Sequence, residues 1–133
     1  MDADDMNEKS IRFEGEIEFE ITTVSASQAI GKMPVQAGVL NPFGTVHAGA
    51  MIWFADVVAT SLALRGVTPS EGMSGFPLAI NLSANLLSNC RNGELTATAR
   101  FLREGRRVTT IRTIVESEQG KTLLDVTTSH VAS

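Results

Sequence analysis

The stretch from about Val46 to Arg65 limits the possible folds more than any other part of the chain. It is rich in Ala, Met, Ile, Phe, Leu and Val, with no proline and no glycine after Gly49, and such a length favours a helix over a strand. Apolar side chains occur on every side of this helix, since Phe54 and Val58 lie nearly opposite Asp56. A helix of this kind should be buried all round, which predicts a sheet curling about it and a second subunit covering the remainder.

Segments on both sides of this stretch carry the patterns of β-strands. Residues 11–24 alternate apolar and charged side chains, which predicts a first strand or extended arm. Residues 26–35 contain Gly31 and Pro34 and predict a short, irregular strand that leads into a loop at 36–46. Four more strands are predicted after the helix: Pro77–Leu87, Glu94–Glu104, Val108–Glu118 and Thr122–Val131.

Glycines at the helix end and between the later strands indicate how these elements connect. Gly66 stands where a helix C-cap is expected. The pairs Asn92-Gly93, Glu104-Gly105 and Gln119-Gly120 allow positive φ in short turns, so successive strands are expected to pair as antiparallel hairpins. The predicted fold class is therefore α+β, with one long central helix wrapped by a curved antiparallel β-sheet.

Length and composition indicate a small globular protein. The 133 residues fit one domain, predicted at 11–133 after a flexible acidic segment at 1–10. The longest nearly uncharged stretch, Gly31–Ala55, is interrupted by prolines, Gly44 and His47, so it does not predict a membrane span. Because the N-terminus lacks the basic and apolar regions of a secretory signal, a cytoplasmic location is expected.

Net charge and cysteine usage exclude several kinds of site. A net charge of −4 argues against broad nucleic-acid binding, which depends on neutralising phosphates with basic side chains. Cys90 has no second cysteine to pair with and no metal-type cluster around it, so it is interpreted as an incidental thiol rather than a nucleophile. Neither a metal nor a separate cofactor is expected.

Asp56 is the ionisable residue that stands out inside the predicted helix, where its neighbours one turn away include Trp53 and Thr60. Removing a carboxylate from water without a partner costs on the order of several kcal/mol, so such a group is rarely kept for packing alone. Asp56 is therefore a candidate catalytic residue. The alternative is a salt-bridged carboxylate that points into solvent or into a subunit seam.

The predicted start of the helix is a second candidate site. The backbone N–H groups near Ala48 and Gly49 suit a carbonyl oxygen that becomes an oxyanion. His47 lies nine positions before Asp56 (56 − 47 = 9), or about 13 Å along an ideal helix, which is too far for a direct acid–base dyad within one subunit. His47 is either a group that meets the substrate or a structural histidine that hydrogen-bonds the loop.

Asn41 and a cluster of arginines can each be interpreted either as structural residues or as substrate-binding residues. Asn41-Pro42 is a turn signal, and the Asn41 amide either braces the loop or orients water or a thioester carbonyl. Arginines gather around the predicted turn at Gly105, where they form either a solvated edge or a phosphate contact. The members of this cluster are Arg100, Arg103, Arg106, Arg107 and Arg112.

Asn41, Gly44, His47, Gly49 and Asp56 occupy in order the places of the pattern Asn-x-x-Gly-x-x-His-x-Gly followed by a helical acid. With this pattern the sequence resembles the hotdog thioesterases, particularly the phenylacetate-pathway type and more distantly the 4-hydroxybenzoyl-CoA thioesterases. The resemblance extends over roughly residues 35–131 in the order of elements. It implies a hotdog domain that hydrolyses acyl-CoA thioesters to free acid and CoA.

The resemblance also implies roles for single residues. Asp56 is expected to act as general base or nucleophile, Asn41 to position water or substrate, and an amide near Ala48 and Gly49 to form the oxyanion hole, with His47 beside it. Further substrate contacts are expected at Trp53, Thr60, Asn85, Arg106 and Arg107. The implied assembly is a homodimer, often paired into a homotetramer, with acyl-CoA bound between subunits.

Two departures and two alternative functions bear on this assignment. The family usually has His-Gly-Gly where this chain has His47-Ala48-Gly49, and Arg-Pro where it has Ser88-Asn89. A hotdog enoyl-CoA hydratase or dehydratase would need a His and a carboxylate from different subunits to meet. A non-catalytic acyl-binding hotdog module would have no use for a buried Asp56. The acyl-group preference is left open.

Overall fold

The computed structural model describes residues 10–133, so the predicted acidic segment lies outside the described residues except for Ser10. One helix packs against one six-stranded antiparallel sheet with the order β1-β2-β4-β5-β6-β3. The elements are β1 Glu20–Val24, β2 Gln28–Pro34, a 3-10 helix Ala37–Val39, α1 Ala48–Ala63, β3 Pro77–Leu86, β4 Glu94–Glu104, β5 Val108–Glu116 and β6 Thr122–Ala132. The predicted α+β architecture is confirmed.

Helix α1 begins and ends on local backbone signals. His47 is the N-cap, with an extended backbone (φ −62°, ψ 132°) that stops the helix from continuing into the loop before it. Arg65 (φ 53°) and Gly66 (φ 82°) both adopt the left-handed conformation that terminates helices. The predicted stop at Gly66 is therefore confirmed, and the helix is about two residues shorter at each end than its apolar run.

The core lies between α1 and the inner face of the sheet. The buried residues of α1 are Met51, Phe54, Ala55, Val58, Ala59 and Leu62. They meet alternate residues of β2, β4, β5 and β6, which explains the period-2 patterns of those strands. Gly31 of β2 is required for this contact, because a Cβ there would lie 2.7 Å from Val58 Cγ2. Full burial of each large side chain contributes about 1.5–3 kcal/mol.

One side of α1 is left uncovered by the sheet in the single chain, and the sequence prediction assigned such a remainder to a second subunit. Trp53 is 49% exposed, and Asp56 and Thr60 are only partly buried. The edge strand β3 is also incompletely covered, since Leu82 and Leu86 remain 40% and 50% exposed. Both leucines pair with buried residues of β6 and therefore lie on the sheet face that carries the helix.

The N-terminal arm, residues 10–19, is not the strand that alternation predicted, although an extended arm was the stated alternative. Regular pairing begins only at Glu20. The arm instead crosses the 3-10 helix, where the Glu16 N–H donates to the Gly38 carbonyl at 3.1 Å. Two glycines permit this crossing, because a Cβ on Gly15 would lie 2.6 Å from Gly38 O and one on Gly38 would lie 2.4 Å from Glu16 O.

The hairpin predicted at Asn92-Gly93 is wrong, whereas the other two hairpins are confirmed. β3 pairs with β6, and β4 lies between β2 and β5. Gly93 has the expected positive φ of 92°, but its carbonyl accepts from the Val35 N–H and so ties the connection to the end of β2. In the β4–β5 turn, Gly105 is needed for space rather than for φ, since its Cβ would lie 2.4 Å from Val108 O.

Candidate active site

The loop before α1 is built around the side chain of Asn41. Its Oδ1 accepts from the backbone N–H groups of Phe43 and Thr45 at 3.0 and 3.1 Å, and its Nδ2 donates to Thr45 Oγ1 at 2.7 Å. Gly44, at φ 79°, closes the turn by donating its N–H to Asn41 O. Asn41 therefore braces the loop as the turn interpretation predicted, while one Nδ2 hydrogen is left to meet a ligand.

Two residues that sequence reasoning missed hold this loop from the β3–β4 connection. Asn89 accepts from the Val46 N–H at 3.1 Å and donates to Val46 O at 2.8 Å, in the manner of a short strand pair. Arg91 donates to Phe43 O at 2.7 Å. A lone Asn or Arg in a loop gives no sequence signal for such a contact, because the partner is more than 40 residues away.

The helix start contains one engaged and one available N–H group. The Gly49 N–H donates to His47 Nδ1 at 3.0 Å, so this amide is occupied by the N-cap. The Ala48 N–H is the first of the helix and lies outside the i→i−4 ladder. Because Nδ1 accepts, a neutral His47 ring carries its proton on Nε2 and can donate from there.

The loop, the helix start and the N-terminal arm line a cleft of about 520 Å³. Asn41, His47 and Gly49 contribute its polar wall, and Trp53 contributes an apolar wall. The Trp53 ring lies edge-on to Phe19 at 5.1 Å between centroids, which fixes it beside the arm. The sequence-predicted residues Asn41, His47, Gly49 and Trp53 are thus brought together at one cleft.

Asp56 does not line this cleft. Its Oδ1 atom is buried and has no hydrogen-bond partner among residues 10–133, although the residue as a whole is partly exposed. The salt-bridged alternative is not what the described chain contains, since no cation lies within ion-pair distance of Asp56. One carboxylate oxygen therefore faces the interior of the fold.

A buried histidine that sequence reasoning did not select lies on the inner face of β6. His130 is 1% exposed; its Nε2 is 2.8 Å from Thr128 Oγ1 and its Nδ1 is 3.4 Å from Pro77 O. Burial lowers the pKa of His130 from the ordinary 6.5, while the Pro77 carbonyl and the charge of Asp56 act in the opposite direction. The alternating burial of β6 places His130 on the inner face of the sheet.

The remaining predicted substrate contacts lie apart from the cleft. Thr60 is partly buried one turn after Asp56, and Asn85 is exposed on the edge strand β3 opposite Asp125 of β6. Arg106 and Arg107 line a separate hollow of about 330 Å³ at the β4–β5 turn, together with Arg103. The other two arginines of the cluster have partners elsewhere: Arg100 donates to Gln28 Oε1, and Arg112 pairs with Asp125.

Neither cysteine nor metal chemistry is indicated by the described residues. Burial raises the pKa of the Cys90 thiol, which disfavours the nucleophilic thiolate. Among residues 10–133, no group of three or more His, Cys, Asp or Glu side chains has the arrangement of a metal site. No helix in this part of the chain is long and apolar enough to cross a membrane.

Comparison with known proteins links these features to one family. A family model described as "Thioesterase superfamily" matches residues 43–124. A 1,4-dihydroxy-2-naphthoyl-CoA hydrolase of Listeria monocytogenes is 30% identical over 90 residues, which are 68% of this chain and 70% of that protein. A thioesterase structure from Haemophilus influenzae superposes with a TM-score of 0.77 at 22% identity, covering 86% of this chain and 78% of that one. A hypothetical thioesterase from Streptococcus pneumoniae, solved with coenzyme A, gives 0.76 at 15% identity, covering 87% and 89%.

Proposed function

Because this chain belongs to the thioesterase superfamily, we propose that it hydrolyses acyl-CoA thioesters to a free acid and CoA, with Asp56 as the catalytic carboxylate. The observation that carries the proposal is the buried, unpartnered Oδ1 of Asp56 in the middle of an apolar helix. Such an atom costs folding free energy, so its retention calls for a use in the reaction. The coenzyme A bound by the Streptococcus pneumoniae relative supports the choice of thiol.

Two routes use the same residues. In the first, Asp56 takes a proton from water as the water oxygen attacks the thioester carbonyl; in the second, Asp56 attacks directly and forms an anhydride that water then opens. Either route produces an oxyanion that needs a donor, and the Ala48 N–H at the positive end of α1 is the group to supply it. Collapse of the tetrahedral intermediate expels the CoA sulfur, which leaves as thiolate and takes up a proton.

In this proposal, the acyl group and the CoA phosphates of the substrate bind in two different places, the cleft and the arginine hollow. The cleft beside Trp53 receives the acyl group, with Asn41 and His47 at its polar wall. Arg106 and Arg107 supply positive charge for CoA phosphates at the surface.

A homodimer is proposed because one chain leaves the helix face and the edge strand β3 uncovered. Leu82 and Leu86 of β3 are exposed in the single chain. Exposed apolar edge strands normally pair with another strand or are covered by another part of the protein. Pairing through β3 would bring a second copy next to Asp56, and a tetramer would follow from pairing of dimers. Membership of the phenylacetate-pathway subtype and a cytoplasmic location belong to the same proposal, supported by the Asn41-to-Asp56 pattern and by the N-terminal sequence.

Release of thiol from a panel of acyl-CoA esters tests the function. The panel should span aryl-acetyl, benzoyl, bicyclic aromatic, short, medium and long acyl groups. We expect turnover of at least one member and a loss of at least about 10³-fold in kcat for Asp56→Asn, with the same oligomeric state and a melting temperature no lower than that of the wild type. Asp125→Asn is the matched control, since it makes the same chemical change at a partly exposed position of β6.

The outcomes are distinct. Failure of the wild type to cleave any ester, or full activity of Asp56→Asn, would contradict the proposal. Hydration of an enoyl-CoA without hydrolysis would favour the hydratase instead, and binding without turnover would indicate a non-catalytic module. Single turnover in ¹⁸O-water identifies the nucleophilic route when water opens the anhydride at the Asp56 carbonyl, because the ¹⁸O then enters Asp56, whereas the general-base route puts it only into the acid.

A further inference from the structure

Phe13 of the N-terminal arm is an exposed aromatic residue to which the proposed hydrolysis gives no role. It is 81% exposed, yet it lines the cleft of about 520 Å³ that also contains Trp53 and His47. A large apolar side chain left in water at the wall of a cleft gains free energy when a ligand covers it. Phe13 is therefore a candidate contact for the apolar part of a substrate.

The arm that carries Phe13 is fixed to the loop side of the cleft by a close backbone crossing. The Glu16 N–H donates to the Gly38 carbonyl at 3.1 Å. The two backbones approach so closely that a Cβ on Gly15 would lie 2.6 Å from the same carbonyl oxygen. Phe13 stands two residues before this crossing, so the crossing limits how far its ring can move from the cleft.

A second contact fixes the arm to helix α1. The Phe19 ring lies 5.1 Å from the Trp53 ring and 5.2 Å from the Phe54 ring, measured between centroids. Ile17, between the crossing and this aromatic contact, packs against the buried core and also lines the cleft. Because the arm is held at both places, it forms a lasting wall of the cleft rather than a loose cover.

The remaining lining of the cleft is mostly apolar and leaves room for more than a small acyl group. Its polar side chains Asn41 and His47 stand on the loop and at the start of α1, beside the Ala48 N–H. The volume falls within the range of small-molecule sites, about 300–1,000 Å³, of which an acetyl group fills only a small part. The other apolar side chains that line the cleft are Val39, Leu40, Pro42 and Ala50.

We propose that Phe13 is a specificity-determining residue: together with Trp53 it binds the apolar part of the acyl group, so that acyl groups with a ring or a medium-length chain are preferred over acetyl. The inference rests on the proposed hydrolysis of acyl-CoA at the same cleft. An acyl group with its carbonyl at the helix start covers the exposed Phe13 ring only if it is large enough. The contact is therefore made by bulky substrates alone, and this difference discriminates between them and acetyl-CoA.

Equilibrium binding measures this discrimination without any turnover. Phenylacetyl-CoA and acetyl-CoA differ by one phenyl ring, and octanoyl-CoA is a second bulky ligand. Calorimetric titration in the Asp56→Asn background should give at least about 10-fold tighter binding of one bulky ester than of acetyl-CoA. Phe13→Ala in that background should weaken binding of this ester by about 10-fold and change the Kd of acetyl-CoA by less than about 2-fold. Phe13→Leu, which keeps the apolar bulk, should retain most of the preference.

A matched control and a local probe assign the effect to the cleft. Phe43 is also 81% exposed but does not line the cleft, so Phe43→Ala should leave both affinities unchanged. Trp53 is the only tryptophan and the chain has no tyrosine, so its fluorescence reports on the wall next to the arm. We expect its emission to change with the bulky ester and to stay constant with free CoA.

The proposal is overturned if neither bulky ester binds more tightly than acetyl-CoA, or if Trp53 emission does not respond to them. It is also overturned if Phe13→Ala weakens all esters equally or weakens none; an equal loss with a changed oligomeric state would mean that a second copy covers Phe13. Failure of the proposed function looks different, because the wild type then releases no thiol from esters that it still binds.

Discussion

At the scale of single residues, the structure indicates which N–H group at the start of α1 is available as an oxyanion donor. The sequence allowed either Ala48 or Gly49 to supply an oxyanion donor. In the structure the Gly49 N–H is engaged by His47 Nδ1, which leaves the Ala48 N–H. Alanine at this position keeps the donor and adds only a methyl group, so departure from the usual His-Gly-Gly does not remove the N–H group that the proposed reaction uses.

Ala48→Pro tests this donor directly. Ala48 is the first residue of α1, where proline fits and where its missing N–H breaks no helical hydrogen bond. The residue before it, His47, already has the extended backbone that proline requires of its predecessor. We expect kcat to fall by roughly 10²–10³-fold, the usual effect of removing an oxyanion donor, with little change in melting temperature. Ala48→Gly, which keeps the N–H, should stay close to wild type; equal activity in both variants would rule out this donor.

The pH dependence of stability belongs to His130. Because burial lowers the pKa of His130 below 6.5, the unfolded chain binds a proton that the folded chain does not. The free energy of unfolding should therefore be highest above about pH 6.5 and fall as the pH drops toward the folded-state pKa, by up to about 1.4 kcal/mol per pH unit. Urea unfolding at several pH values should show this slope, and His130→Asn should flatten it.

A second group titrates in a lower window and serves as an internal comparison. Arg112 holds the pKa of Asp125 below its ordinary 3.8, so the stabilisation from Asp125 is present above that pH and is lost only in stronger acid. A slope near pH 6 that persists in His130→Asn would mean that another group is responsible.

At the scale of elements, the sequence predicted a strand correctly where buried and exposed residues alternate within a sheet. It did not predict the segments whose conformation depends on contacts with residues distant in the sequence. β4 runs from Glu94 to Glu104 as predicted, because its apolar residues face the core at every second position. Residues 11–19 have the same alternation yet form an arm, since Gly15 and Gly38 bring two backbones together across the chain. No local pattern reports such a crossing.

The residues of the candidate site likewise fall into those that the sequence could predict and those that it could not. Asn41, His47, Gly49 and Trp53 could be predicted because they follow one another along a loop and a helix. Asn89, Arg91 and His130 could not, because each acts on a segment 40 or more residues away.

Gly38→Ala tests whether the N-terminal arm forms a wall of the acyl cleft. The added Cβ would lie 2.4 Å from Glu16 O and 2.8 Å from Glu16 N, so the arm must move. We expect a loss of about 1–3 kcal/mol in stability from overpacking and a rise in KM that exceeds the change in kcat. Faster hydrogen exchange of the Glu16 amide would report the displacement. Ala37→Ser, at an exposed neighbouring position, is the control; an unchanged KM in Gly38→Ala would separate the arm from substrate binding.

The β4–β5 turn makes a prediction about CoA. Replacing Arg106 and Arg107 by Gln should raise KM for the preferred acyl-CoA by roughly 5–30-fold, since two exposed charge contacts contribute about 0.5–1 kcal/mol each. The same acyl group on pantetheine, which lacks the nucleotide phosphates, should show no such increase. Arg100→Gln, whose arginine bonds Gln28 instead, is the control. An equal rise for both thioesters would contradict phosphate binding at this turn.

At the scale of the whole molecule, one chain holds the parts of the proposed site in two separate places. The cleft contains Asn41, His47 and Gly49, while Asp56 lies outside it. The edge strand β3 is uncovered. A two-fold dimer through this edge would use the same surface on both copies. The proposal is then that each active site takes its carboxylate from one subunit and its oxyanion donor from the other.

Subunit complementation tests this arrangement. Asp56→Asn and Ala48→Pro each disable every site of their own homodimer, so both should be nearly inactive alone. The heterodimer of the two variants is purified through different tags. If the sites are shared between subunits, this heterodimer has one doubly defective site and one intact site, so its turnover per dimer should be about half that of the wild type. Sites contained within single subunits would each keep one defect, and the heterodimer would be as inactive as its parents. A dimer of two Asp56→Asn subunits that carry different tags controls for the purification. Light scattering confirms that the species assayed is the dimer.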